Sequence, residues 1–324
     1  MNSNRRDFLR AARFMGAGLF IGSGVTCSVS KARGIPENQE TSPVDILGQE
    51  YNLAGQRKHE PQNFYMETKI VYFDEKGKRE APKIYRLSLN YEPLETIGSG
   101  NYICNNFSLQ KGEEEQVNIP GLEYWNYNFI YGTDSRGFVF GIDHNEFLNL
   151  VDSKGNLLDS EDSYWTYNTF IDFHSFCDVF GSKPPYGMEG GIHNLRYIGD
   201  SIEHHTSLQE APVDLGDLAL PGSVFQNGRI ILHFKGLSLH DNHPCAIVKF
   251  DSGEGSFVMI DQQRSGKQRT SIGSSHYFGD LHINLDSFWI NKVVMSEFVT
   301  GQRTIEEQAP ERFVAERSSY IIQV

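Results

Sequence analysis

Runs of alternating apolar and polar residues, each closed by a tight-turn sequence, recur along most of this chain and constrain its fold more than any other feature. Side chains in a strand point to opposite faces in turn, so such a run has one face for a core and one for water. Residues 63–73 (NFYMETKIVYF) read as a strand, Asp74-Glu75-Lys76-Gly77 as a turn, and residues 83–91 as the returning strand. An Asp-x-Lys-Gly turn recurs at Asp152-Ser153-Lys154-Gly155, behind an apolar run at 146–151. Further strands fit 101–109, 122–131, 137–142, 228–239, 245–250, 256–260, 276–285 and 289–299. Strands at this spacing, joined by short Asn-, Asp- and Gly-bearing turns, predict a mainly β protein built as an antiparallel sandwich or barrel-like sheets, not βαβ units.

One stretch departs from the pattern. Residues 163–180 (SYWTYNTFIDFHSFCDVF) place apolar side chains at both helical and strand spacing and end at Gly181, with Pro184-Pro185 behind. Glycine past the end and proline soon after are helix stop signals, so a helix is predicted here. It divides the chain into an aromatic-rich β half over 47–190, which holds the helix, and a second β-rich half over 191–324.

The chain opens MNSNRRDFLRAARFMGAGLFIGSGVTCSVSKARG, with Arg5-Arg6 before a Gly-rich, mildly apolar run from Phe14 to Val25. These residues resemble a bacterial twin-arginine (Tat) signal peptide. The run is too short for the roughly 20 apolar residues that cross a bilayer, so no stable membrane insertion is expected. Cleavage is expected after Ser30-Lys31-Ala32, which makes residues 1–32 the signal and 33–46 a flexible tail. The resemblance implies passage through the Tat translocase to the periplasm or exterior.

Export sharpens the charge. The full chain carries a formal −13, and residues 1–32 hold five basic and one acidic residue, so removing them leaves −17. So acidic a protein repels phosphate backbones and anionic lipid, which argues against nucleic-acid partners and leaves small molecules, carbohydrate among them. Cys104, Cys177 and Cys245 remain after cleavage, an odd number that admits one disulfide at most.

Two patterns carry possible chemistry. In His240-Asp241-Asn242-His243-Pro244-Cys245, a two-residue turn at Asp241-Asn242 sets His240 and His243 opposite one another, with Cys245 on the same face. His276 and His282 share one face of a later strand. Together these histidines offer ligands to a divalent transition metal such as zinc or copper; the plainer reading is a wet hairpin tip and the solvent face of an amphipathic strand.

The second pattern is aromatic. Residues 122–131 (LEYWNYNFIY) put Trp125, Tyr127, Phe129 and Tyr131 on one face, and Trp165 lies in the helical stretch. Flat rings with nearby amides can hold a sugar ring or an apolar ligand, or they can simply be core. No GxSxG, P-loop or dinucleotide fingerprint is present. Two function classes follow: an exported module that binds a small sugar-like or apolar ligand on Trp125, Tyr127 and Trp165, or a metal-dependent enzyme on a carbohydrate or other small substrate. A partner-binding envelope protein is a third.

Overall fold

A computed structural model describes residues 47–95, 100–185, 188–212, 218–263 and 265–324. The expected signal and tail, residues 1–46, lie outside them. The chain is mostly antiparallel β, 47% strand and 13% helical, with one α-helix and a large open sheet.

The strands are β1 (Gln62–Phe73), β2 (Lys83–Pro93), β3 (Gly100–Lys111), β4 (Val117–Asn118) and β5 (Asn126–Asn128) before the helix α1 (Ser160–His174). After it come β6 (Ser201–Glu203), β7 (Glu210–Pro212), β8 (Val224–Gln226), β9 (Ile231–His240), β10 (His243–Asp251), β11 (Gly255–Gln262), β12 (Gln268–Asn284), β13 (Ile290–Ile305) and β14 (Glu311–Gln323). The main sheet runs β4-β3-β2-β1-β14-β13-β12-β10-β9-β6, with β5, β7, β8 and β11 as branches. Strands from both sides of the helix meet in it where β1 pairs antiparallel with β14, Phe64 opposite Gln323 through Phe73 opposite Val314.

The alternation read from sequence is the core pattern. Phe64, Met66, Thr68 and Ile70 of β1 and Tyr85, Leu87, Leu89 and Tyr91 of β2 are buried, while their neighbours face outward. In β3 the periodicity slips: Ser88 opposes Asn106 but Leu89 opposes Cys104, so Asn105 is an extra, bulged residue. A bulge resets which face the following residues take. Tyr102 and Cys104 before it and Phe107 and Leu109 after it are therefore all buried.

Helix α1 begins where Asp159 accepts a hydrogen bond from the Asp162 N–H at 2.7 Å. It passes at His174 into a π-helical turn, Ser175–Phe180. The sheet meets it on several sides: Phe107 of β3 stacks on Phe170, Phe64 of β1 meets Phe173 edge-on, and Phe250 of β10 packs on Phe176 and Phe180. A helix enclosed all round shows no clean apolar stripe, which explains the mixed spacing in its sequence.

A buried helix with polar residues needs partners for them. Asp162 receives Lys83 at 3.1 Å, Lys111 at 2.5 Å and the Tyr85 hydroxyl at 3.1 Å. Asp172 pairs with Arg317 of β14, which also pairs with Glu297 of β13.

Three expected strands are not regular strands. Of 122–131 only Asn126–Asn128 joins the sheet, and within 137–142 and 146–151 only isolated bridges form, Val139 with Thr133 and Val151 with Leu157. Tyr124, Phe140 and Asn149 have φ of 60°, 57° and 61°, which breaks the extended chain. Their aromatic neighbours are held by packing around α1, not by a strand ladder. Conversely, β14 carries no strong signature in sequence, yet it is the strand that joins the two ends of the described chain.

Candidate functional site

The residues that meet most tightly come from four separate segments. Residues 51–58 run as a strap ahead of β1: Lys58 N–H donates to the Ser287 carbonyl at 3.0 Å, and Trp289 Nε1–H donates to the Lys58 carbonyl at 3.0 Å. Gly55 lies flat under Phe288, where a Cβ would come within 2.3 Å of the ring. The strap thereby sets Arg57 over the Trp289 ring, 4.5 Å from its centroid. The π-helical turn after α1 presents Asp178 from the other side, and Arg57 donates to its carboxylate and to the Cys177 carbonyl.

Behind this ion pair lies a dry relay. His174 Nδ1 is 2.6 Å from Asp178 Oδ2, and His174 Nε2 is 2.6 Å from the Tyr127 hydroxyl. The imidazole is enclosed by Tyr102, Tyr127, Phe129, Phe140 and Phe173, with Phe129 stacked on it at 4.7 Å. Burial holds His174 below its ordinary pKa, more strongly than Asp178 raises it. Burial pushes Asp178 up, but Arg57 and the His174 bond outweigh it and leave the carboxyl below the usual range. Asp178 is thus ionised and His174 neutral, so Nδ1–H donates to Asp178 and Nε2 accepts from the Tyr127 O–H. Burial also raises the Tyr127 and Tyr102 hydroxyls well above 10, so both stay protonated.

A cleft of about 310 Å³ opens onto this pair. Arg57, Asp178 and Tyr102 line its inner part, and Tyr91, Phe129, Tyr131 and Trp289 give it aromatic walls. Lys58, His59 and Lys183, all exposed, lie at its edge. Tyr131 is fixed from behind by His205, whose Nε2 is 2.9 Å from its hydroxyl. His205 in turn contacts His204, ring centroids 4.1 Å apart, and burial lowers His204 to about 3.

The aromatic residues read from sequence sit elsewhere. Trp125 packs on Phe147, Phe170 and Tyr127. Tyr127 is buried with its hydroxyl taken by His174. Trp165 donates Nε1–H to the Tyr72 hydroxyl at 3.3 Å and lies under Arg317, 5.3 Å away. None of the three lines the cleft, which takes Phe129 and Tyr131 from the same stripe.

The histidine set is spread along the sheet. Asp241 and Asn242 do form the centre of a two-residue hairpin, with φ of 48° and 66°, and His240 does oppose His243. Their side chains then turn to different carboxylates, His240 to Asp241 at 3.6 Å and His243 to Asp286 at 3.4 Å. His282 meets the Ser238 hydroxyl at 3.2 Å. His276, six residues earlier on β12, bonds Asp251 at 2.8 Å. Cys245 is buried, its thiol raised by burial to about 11. Among the described residues, no group of three or more His, Cys, Asp or Glu is placed to hold a metal ion.

Sequence reasoning singles out none of Arg57, His174 and Asp178 as a site residue. The available signal was His174 and Asp178 at i, i+4 in a stretch otherwise rich in aromatics, a spacing that puts them on one helical face.

No family model and no curated protein matches the chain. Among solved structures it is similar to Salmonella typhi OmpF in complex with daunomycin, at 8% identity over 82% of this chain and 98% of that one, TM-score 0.24. It is also similar to a DUF1329 family protein from Desulfovibrio piger, at 8% identity over 79% of this chain and 83% of that one, TM-score 0.12.

Proposed function

We propose that this is an exported, periplasmic binding protein that holds one small ring-bearing molecule, sugar-like or apolar, in the cleft above Arg57. The observation that carries this reading is the cleft itself. It is concave, walled by Tyr91, Phe129, Tyr131 and Trp289, and floored by one buried ion pair, the arrangement typical of small-molecule sites. The relay behind the floor fixes Asp178, and Asp178 fixes Arg57, so the polar groups are held in place before a ligand arrives. The twin arginines Arg5 and Arg6 support export through the Tat translocase.

Two experiments test this. Protein purified from its own host, denatured and extracted, releases a small molecule at near one equivalent, and Phe129→Ala or Tyr131→Ala lowers that yield severalfold. An extract with no such molecule, together with no cleft resonance shift across a small-molecule library, sinks the binding reading. For export, replacing Arg5 and Arg6 by Lys leaves the protein in the cytoplasmic fraction; unchanged fractionation overturns that part.

A further inference from the structure

We infer that the molecule held in the cleft is a carboxylate, its anionic end on Arg57 and its ring against the aromatic wall. The inference rests on the binding reading above and adds the charge of the ligand.

The first support is the unspent capacity of Arg57. A guanidinium has five N–H donors, and here one goes to Asp178 and one to the Cys177 carbonyl. Nε is buried, has no acceptor and is out of a ligand's reach, so the two unused Nη hydrogens are the donors left for one. The side chain lines the cleft and keeps a fifth of its surface exposed. A ligand oxygen arriving there meets a donor already oriented, and a carboxylate is the group whose planar pair of oxygens suits a guanidinium.

The second support is the local charge. The whole chain is strongly acidic, yet among the described residues the cleft lining carries Arg57, Lys58 and Lys183 against a single carboxylate, Asp178, which Arg57 and His174 already occupy. A positive mouth in a negative protein steers and retains anions. Asp178 also sets the upper limit, because a dianion such as a phosphate ester would sit beside its charge. A monoanion matches the floor better.

The third support is the wall. Tyr91 lies 4.7 Å from Trp289 and 5.2 Å from Tyr102, centroid to centroid, a surface for one flat ring. Ring-bearing carboxylates come from two sources, aromatic acids and sugar acids, and the test separates them.

The test is calorimetric titration of the mature protein with benzoate and benzamide, and with glucuronate and glucose, followed also by the Trp289 indole N–H resonance. The expected result is that one acid binds at least tenfold more tightly than its neutral counterpart and shifts that resonance. Which acid does so identifies the source. Arg57→Gln should abolish the preference. Because that variant leaves Asp178 without its partner and can fail to fold, Lys58→Gln with Lys183→Gln serves beside it. Both lysines are exposed, and their loss should weaken the acid severalfold and narrow its margin over the neutral partner. Equal binding of acid and neutral overturns the carboxylate assignment and leaves the binding reading intact. No binding by any of the four, with the Trp289 resonance unmoved, overturns the carboxylate assignment; the binding reading then stands or falls on the extraction experiment.

Discussion

His174 and Asp178 form an i, i+4 pair with Nδ1 and Oδ2 2.6 Å apart, both sealed from solvent. The pair is one link in a series from the Tyr127 hydroxyl to the Arg57 guanidinium, so its members should differ in what their loss costs. Asp178→Asn leaves Arg57 buried without a counter-ion, which should destabilise by about 3–5 kcal/mol. Tyr127→Phe removes a neutral donor from His174 Nε2 and should cost only about 1–3 kcal/mol. Urea denaturation of both variants checks the order; equal losses would mean that Arg57 finds a second anion.

A pH prediction follows from His204. Its ordinary pKa is 6.5 and burial lowers it to about 3 in the folded chain. Between those values the unfolded chain binds a proton that the folded chain does not. The contribution is therefore fully present above pH 6.5 and is lost as pH falls towards 3, at up to ~1.4 kcal/mol per pH unit. His174, also lowered by burial, acts in the same direction. Unfolding free energies at pH 7, 6 and 5 should fall, and His204→Gln should flatten the decline.

Gly100 should tolerate no side chain. A Cβ there would lie 1.9 Å from the Tyr91 ring, so Gly100→Ala must push Tyr91 out of the cleft wall, at a cost of about 1–3 kcal/mol. Gly77, with φ of 75° and open space around it, offers the control. Gly77→Ala should cost roughly 1 kcal/mol through backbone strain alone and leave the cleft untouched. Thermal unfolding with the Trp289 resonance as a local reporter separates the two effects.

The hairpin at Asp241-Asn242 gives a turn prediction. Asn242 has φ of 66°, a conformation that Asn and Gly accept and β-branched residues resist. Asn242→Gly should be neutral or slightly stabilising, whereas Asn242→Val should cost about 1–2 kcal/mol. Both are read from urea midpoints.

Thiol chemistry offers a fifth check. Cys104, Cys177 and Cys245 are all buried and unpaired, and burial raises Cys104 to about 12. A thiolate-seeking reagent should leave all three unmodified in the native protein prepared without residues 1–32, and react with all three once urea unfolds it.

The fold was largely legible because alternation is a one-dimensional record of a two-faced sheet. Strands β1, β2, β9, β10 and β12 follow directly from it, and the Asp-Asn turn supplied the exact centre of one hairpin. What sequence concealed was of two kinds. The stretch from Tyr124 to Asn149 looks strand-like because its aromatics are spaced for burial, but positive-φ residues bend the backbone around α1. The site was hidden because Arg57 reaches Asp178 across 121 residues, a distance no local pattern spans. Histidine density pointed to the wet hairpin, whereas the histidine at the centre of the site stands alone among aromatics.

The union of β1 with β14 has a consequence for how this chain is made. Strand β1 pairs with β2 along one edge, but the neighbour on its other edge, β14, lies far along the sequence, Phe73 opposite Val314. Until β14 pairs, β1 offers one unsatisfied edge, and β13 another. Closing the main sheet therefore waits until β14 has been made, a long-range pairing of the kind that forms slowly. Removing β14 leaves two half-sheets with bare edges, so a variant without Glu311–Gln323 should yield aggregate in place of a shortened protein.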